Sequence, residues 1–420
     1  MTLSKANTFL STFNLFLILV GYQLVTSIFL PSASNYDGRE EGLIVARTVT
    51  VPYKVFALLT ALGVIALNWG RRIRLNLPLK LYFIFWLLLI LRILYDLEVR
   101  TDVILDAVNG RDTLVHLFFV CIIPSIAVWR SLPSIDYEWA FKLVFAGYVI
   151  LIPIFYFNNP WVFTILDVGQ RVGGNIGMSS IVFGHYGVSL VLLAFYHQVQ
   201  SHNLWLKVSC YVLMIIGAFV MLRSGSRGPL MALIGGFLFY YVARRQSKTL
   251  TICILCTVVF LSVLLGDIIF DVIQKASPVM ARRITLSGNA SQYEELTAGR
   301  GGLYEIAINK FLDHPILGDT FAITYPDGYF IYSHNIILDA FMGLGLFGGI
   351  LFLCIVGITV WRAFKMISLT DSRWWVAILF IQFLIYHQFS GCFYKADALN
   401  ALMVIVMYKT SLITLNESLR

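Results

Sequence analysis

The stretch "SHNIILDAFMGLGLFGGILFLCIVGITV", residues 333–360, decides the fold class. From Ile336 to Val360 it carries a single charged residue, Asp339, and a helix needs about 20 mostly apolar residues to cross a bilayer. Such runs recur about twelve times by this criterion, near 9–30, 51–69, 79–97, 113–129, 138–157, 176–197, 207–223, 229–243, 249–266, 335–360, 374–391 and 397–414. The chain is 59% hydrophobic and 13% charged, with a mean hydropathy of +0.80. A soluble domain has about 45–50% apolar and about 25% charged residues. The expectation is an all-α, polytopic integral membrane protein whose residues 1–420 form one membrane domain. The first run is too long for a signal peptide and lacks a small-residue cleavage site, so it reads as a mature helix.

Basic residues in short loops set the orientation. "GRRIRLNLPLK" holds Arg71, Arg72, Arg74 and Lys80, "ARRQSK" holds Arg244, Arg245 and Lys248, and "WRAFK" holds Arg362 and Lys365. If the runs alternate, these clusters share one side with both termini, the cytoplasmic side. The outer side then receives the segments 31–50, 98–112 and 158–175, the tight "SGSRG" turn, and one long excursion over residues 267–332. The net charge of +8 is accounted for by the cytoplasmic flanks, so it argues for no nucleic-acid partner. Five of the six cysteines, Cys121, Cys210, Cys253, Cys256 and Cys354, lie inside runs, and Cys392 lies near the outer face. They read as small polarizable fillers, with no disulfide or metal framework.

Arginine on the outer side is what topology leaves unexplained. "MLRSGSRGPLMALIGG" puts Arg223 at the end of one run and Arg227 before the next, in a turn built by Gly225, Gly228 and Pro229. An arginine at bilayer depth costs upward of about 2.5 kcal/mol unless paired or hydrated. These two either snorkel to headgroups or face a ligand. In "ELTAGRGGLYEIAINKFLDHPILGD" the residues Leu303, Ala307, Ile308, Phe311 and Leu312 recur at helical spacing, predicting an amphipathic surface helix that stops at His314 before Pro315. Arg300 stands at its start, among glycines, where unpaired backbone N–H groups favour an anion. The other reading is a solvated surface arginine.

Of the seven histidines, His116, His185, His197 and His387 fall within or at the ends of runs, where packing accounts for them, and His202 and His314 read as loop residues. His334 differs in its company: Ser333 and Asn335 beside it, and glycines at 343, 345, 348 and 349 that let a neighbouring helix or a lipid chain approach. Arg171 in "DVGQRVGGN" and Asp397 in "YKADALNA" are further outer-face candidates, and for Asp397 a simple pair with Lys395 is the favoured reading. The acidic pair Glu294 and Glu295 stands without partners at metal-ligand spacing.

These residues carry a resemblance. A histidine and asparagine, nine residues, a glycine, two residues and a glycine, as in "SHNIILDAFMGLGLFGG", resembles the signature of the bacterial O-antigen ligases. "SRGPLMALIGG" and "GRGGLYEIAINKFLDHPILGDTF" are similar to two further blocks of the wider O-antigen ligase and polymerase superfamily; the motif resemblance covers roughly residues 220–350. It implies a membrane-embedded, GT-C-like glycosyltransferase at the periplasmic face of the inner membrane, working without a metal or other cofactor. The implied donor is a glycan on undecaprenyl diphosphate, the implied acceptor a sugar hydroxyl of lipid A core. The resemblance assigns Arg227 and Arg300, with Arg223 nearby, to the diphosphate, and His334 to the acceptor proton. Asn335 would position the acceptor or the ring, and Arg171 or Asp397 would touch substrate. Two rivals stay open: a polymerase with a second lipid-linked glycan as acceptor, and a transporter of the same lipid, which would show ionisable residues at mid-membrane and repeated halves.

Overall fold

A computed structural model describes residues 2–29, 39–71, 73, 75–100, 107–158, 178–244, 274–275, 300–325 and 330–408. The described chain is almost wholly helical: α1 (Leu3–Ser27), α2 (Arg39–Leu67), α3 (Leu77–Glu98), α4 (Ala107–His116), α5 (Ile123–Ser131), α6 (Tyr137–Asn158), α7 (Ser180–Gln200), α8 (Leu204–Arg223) and α9 (Arg227–Arg244) follow one another up to residue 244. A π-helical stretch, Leu117–Ile122, joins α4 to α5. Further along the chain come α10 (Gly301–Asp313), a hairpin of β1 (Ile323–Thr324) and β2 (Phe330–Ile331), and then α11 (Ile336–Ser368), α12 (Trp374–Ser390) and α13 (Asp397–Met407). The hairpin, paired Ile323 to Ile331 and Thr324 to Phe330, is a small departure from the all-α expectation.

Polar residues placed just before apolar runs start these helices. Asn76 accepts the Leu79 amide at 3.1 Å, Ser179 the Val182 amide at 3.4 Å, and Asn203 the Trp205 amide at 2.9 Å; each side chain satisfies one of the four donors a helix start leaves unpaired. Among the described residues, eight helical segments are long and apolar enough to cross a membrane. The chain is a multi-pass membrane protein. Eleven of the twelve predicted runs coincide with described helices, the shorter ones being α9, α12 and α13; the run at 249–266 lies outside the described residues.

Packing makes α7 the axis of the bundle. Of its apolar window 89% is buried, against 22% for α8 beside it, so α8 presents its outer side to lipid. The two helices cross at paired glycines: a Cβ on Gly217 would stand 2.7 Å from the Gly187 carbonyl oxygen, a backbone approach only small residues permit. Gln382 of α12 ties α7 to α12, its amide donating to the His185 carbonyl at 2.9 Å and to Ser189 at 2.7 Å. That pairing removes the cost of burying four polar groups.

Of the glycines of α11, Gly343 and Gly345 meet the chain that follows α10, while Gly348 and Gly349 lie against the Leu344 and Phe341 side chains of α11 itself. Gly345 has φ 62, outside the helical region, and breaks α11 there. The segment after α10 enters the break, with the Leu346 amide donating to the Pro315 carbonyl and the Asp319 amide to the Met342 carbonyl, both at 2.8 Å. Asp319 is in turn held by Arg100 at 2.9 Å and Lys310 at 2.8 Å. Burial would raise its pKa, but these two cations outweigh burial and hold it below the usual carboxylate value. From α3, Arg92 donates to the carbonyls of Leu317 and Gly318, and Asp96 accepts the Phe321 amide at 3.1 Å. Replacing Gly345 by alanine forces a Cβ into the Ile316 backbone at a left-handed φ. It is expected to destabilise the protein by about 1–3 kcal/mol, read as a lower melting temperature in detergent. Gly357→Ala, where an added Cβ meets nothing within 4 Å, should not lower it.

α10 is amphipathic, as its spacing predicts. Leu303 and Ala307 are buried with Ile323 and Met342, and Phe311 meets Phe341 edge-on at 5.4 Å. Ile308 and Leu312 on the same helix stay exposed, continuous in sequence with exposed Ile316 and Leu317.

Candidate active site

The C-terminal end of α12 is where the motif blocks meet. Arg300, the N-cap of α10, donates from its guanidinium to the Phe389 carbonyl. The start of α9 lies beside Phe389: a Cβ on Gly228 would stand 3.6 Å from the Phe389 Cβ and 3.7 Å from Nε2 of His185. The turn at this start packs Ser224 and Pro229 against Gly184 of α7. Arg227 is therefore the first residue of a helix whose start abuts the residue that Arg300 grips. Arg227 and Arg223 are both half-buried, and the charge of Arg223 acts on Tyr156.

His334 reaches this junction from the third block. It lies between the β2 strand and α11 with φ 64, a left-handed conformation uncommon outside glycine. Its neighbours hold it there. The Ser333 hydroxyl donates to Asp339 at 2.6 Å, and the Ser333 amide donates to the same oxygen at 3.1 Å. Asn335 caps α11, its side-chain oxygen accepting the amides of Ile337 at 3.0 Å and Leu338 at 3.1 Å. With both flanking residues fixed, the ring packs on Tyr332 at 4.4 Å between centroids, and its buried Nδ1 has no hydrogen-bond partner among the described residues. Burial, then the positive charges of Arg300 and Lys395, pull the imidazole pKa from 6.5 down to about 4. The ring is neutral at neutral pH, a proton acceptor facing two cations.

Below this junction lies a cavity of about 260 Å³ between α1, α7, α12 and α13, with Tyr332 in its wall. Lys395 lies over the rings of Tyr332 at 5.5 Å and Tyr394 at 5.6 Å.

The sequence-predicted residues thus come together unevenly. Arg300, His334 and the Arg227 turn converge on the α12 end. Asn335 is beside them, but its oxygen is taken by the helix cap. Asp397 lines the cavity and accepts the Ala398 amide at 2.9 Å; it does not pair with Lys395, whose side chain is drawn over the tyrosine rings. Arg171, Glu294 and Glu295 lie outside the described residues. Among the described residues no group of three His, Cys, Asp or Glu side chains could hold a metal.

Sequence reasoning missed Asp339, Tyr332 and Phe389. Asp339 had a visible signal, an acidic residue opening an apolar run one turn after a capping asparagine. Phe389 had none, since its carbonyl serves whatever its side chain.

No curated protein matches the chain. Residues 212–353, which hold Arg223, Arg227, Arg300 and His334, match the family model described as O-antigen ligase, a family that covers both ligases and polymerases. The match over residues 212–353 supports membership of the O-antigen ligase superfamily.

Proposed function

We propose that the protein is an O-antigen ligase of the bacterial inner membrane, transferring a glycan from undecaprenyl diphosphate to a sugar hydroxyl of lipid A core on the periplasmic side. The observation that carries this reading is a neutral, strained His334 facing the cation Arg300 at the end of α12. The orientation follows from the cytoplasmic basic clusters, with residues 267–332 as one periplasmic excursion of a single membrane domain.

The chemistry is a displacement at the anomeric carbon. The acceptor oxygen forms a bond to that carbon as the bond to the diphosphate oxygen breaks, and the departing electron pair stays on the diphosphate. Fixed cations must meet that charge. Arg300 and Arg227, together with Arg223, present planar forks suited to phosphate oxygens, and the mechanism takes its positive charge from them rather than from a metal ion. The acceptor proton passes to the His334 imidazole, and in-line attack inverts the anomeric centre. Asn335 acts by fixing the backbone on which the ring is mounted, and Arg171 belongs to the same periplasmic side.

Purified protein in detergent is given undecaprenyl diphosphate-linked glycan with and without lipid A core, and products are resolved by gel and mass spectrometry. Glycan joined to lipid A core establishes the ligase. Longer carrier-linked glycan without lipid A core makes the protein a polymerase, and no covalent product with either acceptor points to transport.

The pH profile follows from the site. The working form of His334 is the unprotonated ring, and a pKa lowered to about 4 keeps that form dominant at pH 5 and 6. The acid limb of kcat/KM should fall near pH 4 rather than near the ordinary histidine value of about 6.5. Bound diphosphate adds negative charge beside the ring, so the limb of kcat should lie higher. A kcat/KM limb at or above pH 6.5 would mean that Arg300 and Lys395 do not face the base.

A further inference from the structure

The cavity below the junction contains a histidine that the mechanism does not use. His185 is 3% exposed, and both of its ring nitrogens are buried without a hydrogen-bond partner among the described residues. A neutral imidazole always carries one N–H donor and one acceptor nitrogen, and buried polar groups are almost always satisfied. The backbone of His185 is accounted for, its carbonyl accepting from Gln382. The ring is locked in place, 4.4 Å from the Tyr386 ring between centroids. His185 lines the cavity, whose wall also holds Tyr22, Tyr186, Tyr386, Lys395 and Asp397.

These groups share one chemistry. Tyrosine hydroxyls and imidazole offer both donors and acceptors, Lys395 donates, Asp397 accepts, and the aromatic faces can cover C–H surface. At about 260 Å³ the space is far larger than one water's share of liquid volume, roughly 30 Å³. A polyhydroxylated ring meets all of these features at once, whereas an acyl chain would leave the nitrogens and both charges unpaired. Tyr332 joins this wall to His334, one face of its residue lining the cavity and its ring in contact with the imidazole.

We infer that this cavity is a sugar subsite, holding the acceptor ring so that its reacting hydroxyl reaches His334 past Tyr332, with His185 hydrogen-bonded to a non-reacting hydroxyl. This rests on the proposed transfer reaction for its orientation, but the binding itself can be measured without turnover.

Two variants separate a ligand contact from a packing role. His185→Phe keeps a ring of similar size and removes both nitrogens, and His185→Gln keeps one donor and one acceptor. The probe is the oligosaccharide of lipid A core freed of its acyl chains, titrated into the detergent-solubilised full chain and followed by intrinsic fluorescence and by melting temperature. The expected result is saturable binding to the wild type, weakened roughly tenfold in His185→Phe and largely restored in His185→Gln. In the transfer assay His185→Phe should raise KM for the acceptor by a similar factor and leave KM for the donor unchanged. Unchanged binding in a normally melting His185→Phe overturns the proposal, as does a rise confined to the donor KM. If the wild type binds the oligosaccharide through His185 but transfers nothing to it, the subsite stands and the ligase reading fails. If transfer occurs with unaltered acceptor KM in His185→Phe, the ligase reading stands and the subsite fails.

Discussion

Turnover should fall by about a hundred- to ten-thousand-fold when His334 is replaced by glycine, the usual worth of a positioned general base, while the protein melts no lower than wild type. The two halves of this expectation come from one geometry. At φ 64 a side chain is carried in a conformation that costs roughly 1–2 kcal/mol for an L-residue and nothing for glycine. His334→Gly therefore removes the base and releases the strain together. The test is a pairing of kcat with melting temperature for His334→Gly, His334→Ala and wild type. Loss of turnover with a held or raised melting temperature fits strain retained for function. A glycine variant that melts well below wild type would show that the ring is structural packing for Tyr332, and the catalytic assignment would then lose its main support.

Arg300→Ala is expected to lower kcat/KM by about a hundred- to a thousand-fold, the cost of removing one preorganised donor from developing charge. Here structure and chemistry overlap, because the guanidinium also donates to the Phe389 carbonyl and so braces α10 against α12. Arg300→Lys separates the two. It keeps the positive charge but gives up the planar fork that can hold a carbonyl and a phosphate oxygen together, so it should recover part of the loss and not all of it. A second consequence is electrostatic: with Arg300 neutralised, His334 loses the stronger of the two charges that depress its pKa. The acid limb of the residual activity should move upward in Arg300→Ala and stay low in Arg300→Lys. Equal activity of all three proteins would remove Arg300 from the site.

Much of this architecture could be read before any coordinates. Long apolar runs announce membrane helices because the bilayer leaves few other solutions for the backbone, and residues such as Asn76, Ser179 and Asn203 mark their starts through local capping chemistry. The three motif blocks were equally legible, since each is contiguous. Where reading failed, the cause was distance along the chain. Nothing in "YHQFSG" shows that the Phe389 carbonyl will serve an arginine 89 residues earlier. His185 reads as packing because its neighbours are apolar, and only the assembled bundle shows that it lines a cavity. Gly345 calls for a close neighbour, but that the neighbour is residues 316–318 rather than a helix or a lipid depends on the tertiary path of the chain after α10. Lys395 and Asp397 are two residues apart and opposite in sign, yet a short 3-10 turn ends between them, and tyrosine rings outcompete the pair for the ammonium group.

The break at Gly345 also bears on how the protein meets membranes of different thickness. At 33 residues α11 would be about 50 Å long if straight, well beyond a hydrocarbon layer of about 30 Å. Residues 346–368 alone can bridge that layer, and a bilayer that thickens or thins is accommodated by tilting them. The short limb above the break is fastened to residues 315–319 on either side of Gly345 and need not follow. Bending is thus confined to one left-handed joint, and the height and angle at which His334 meets its partners are set by the chain's own tether rather than by the lipid around it.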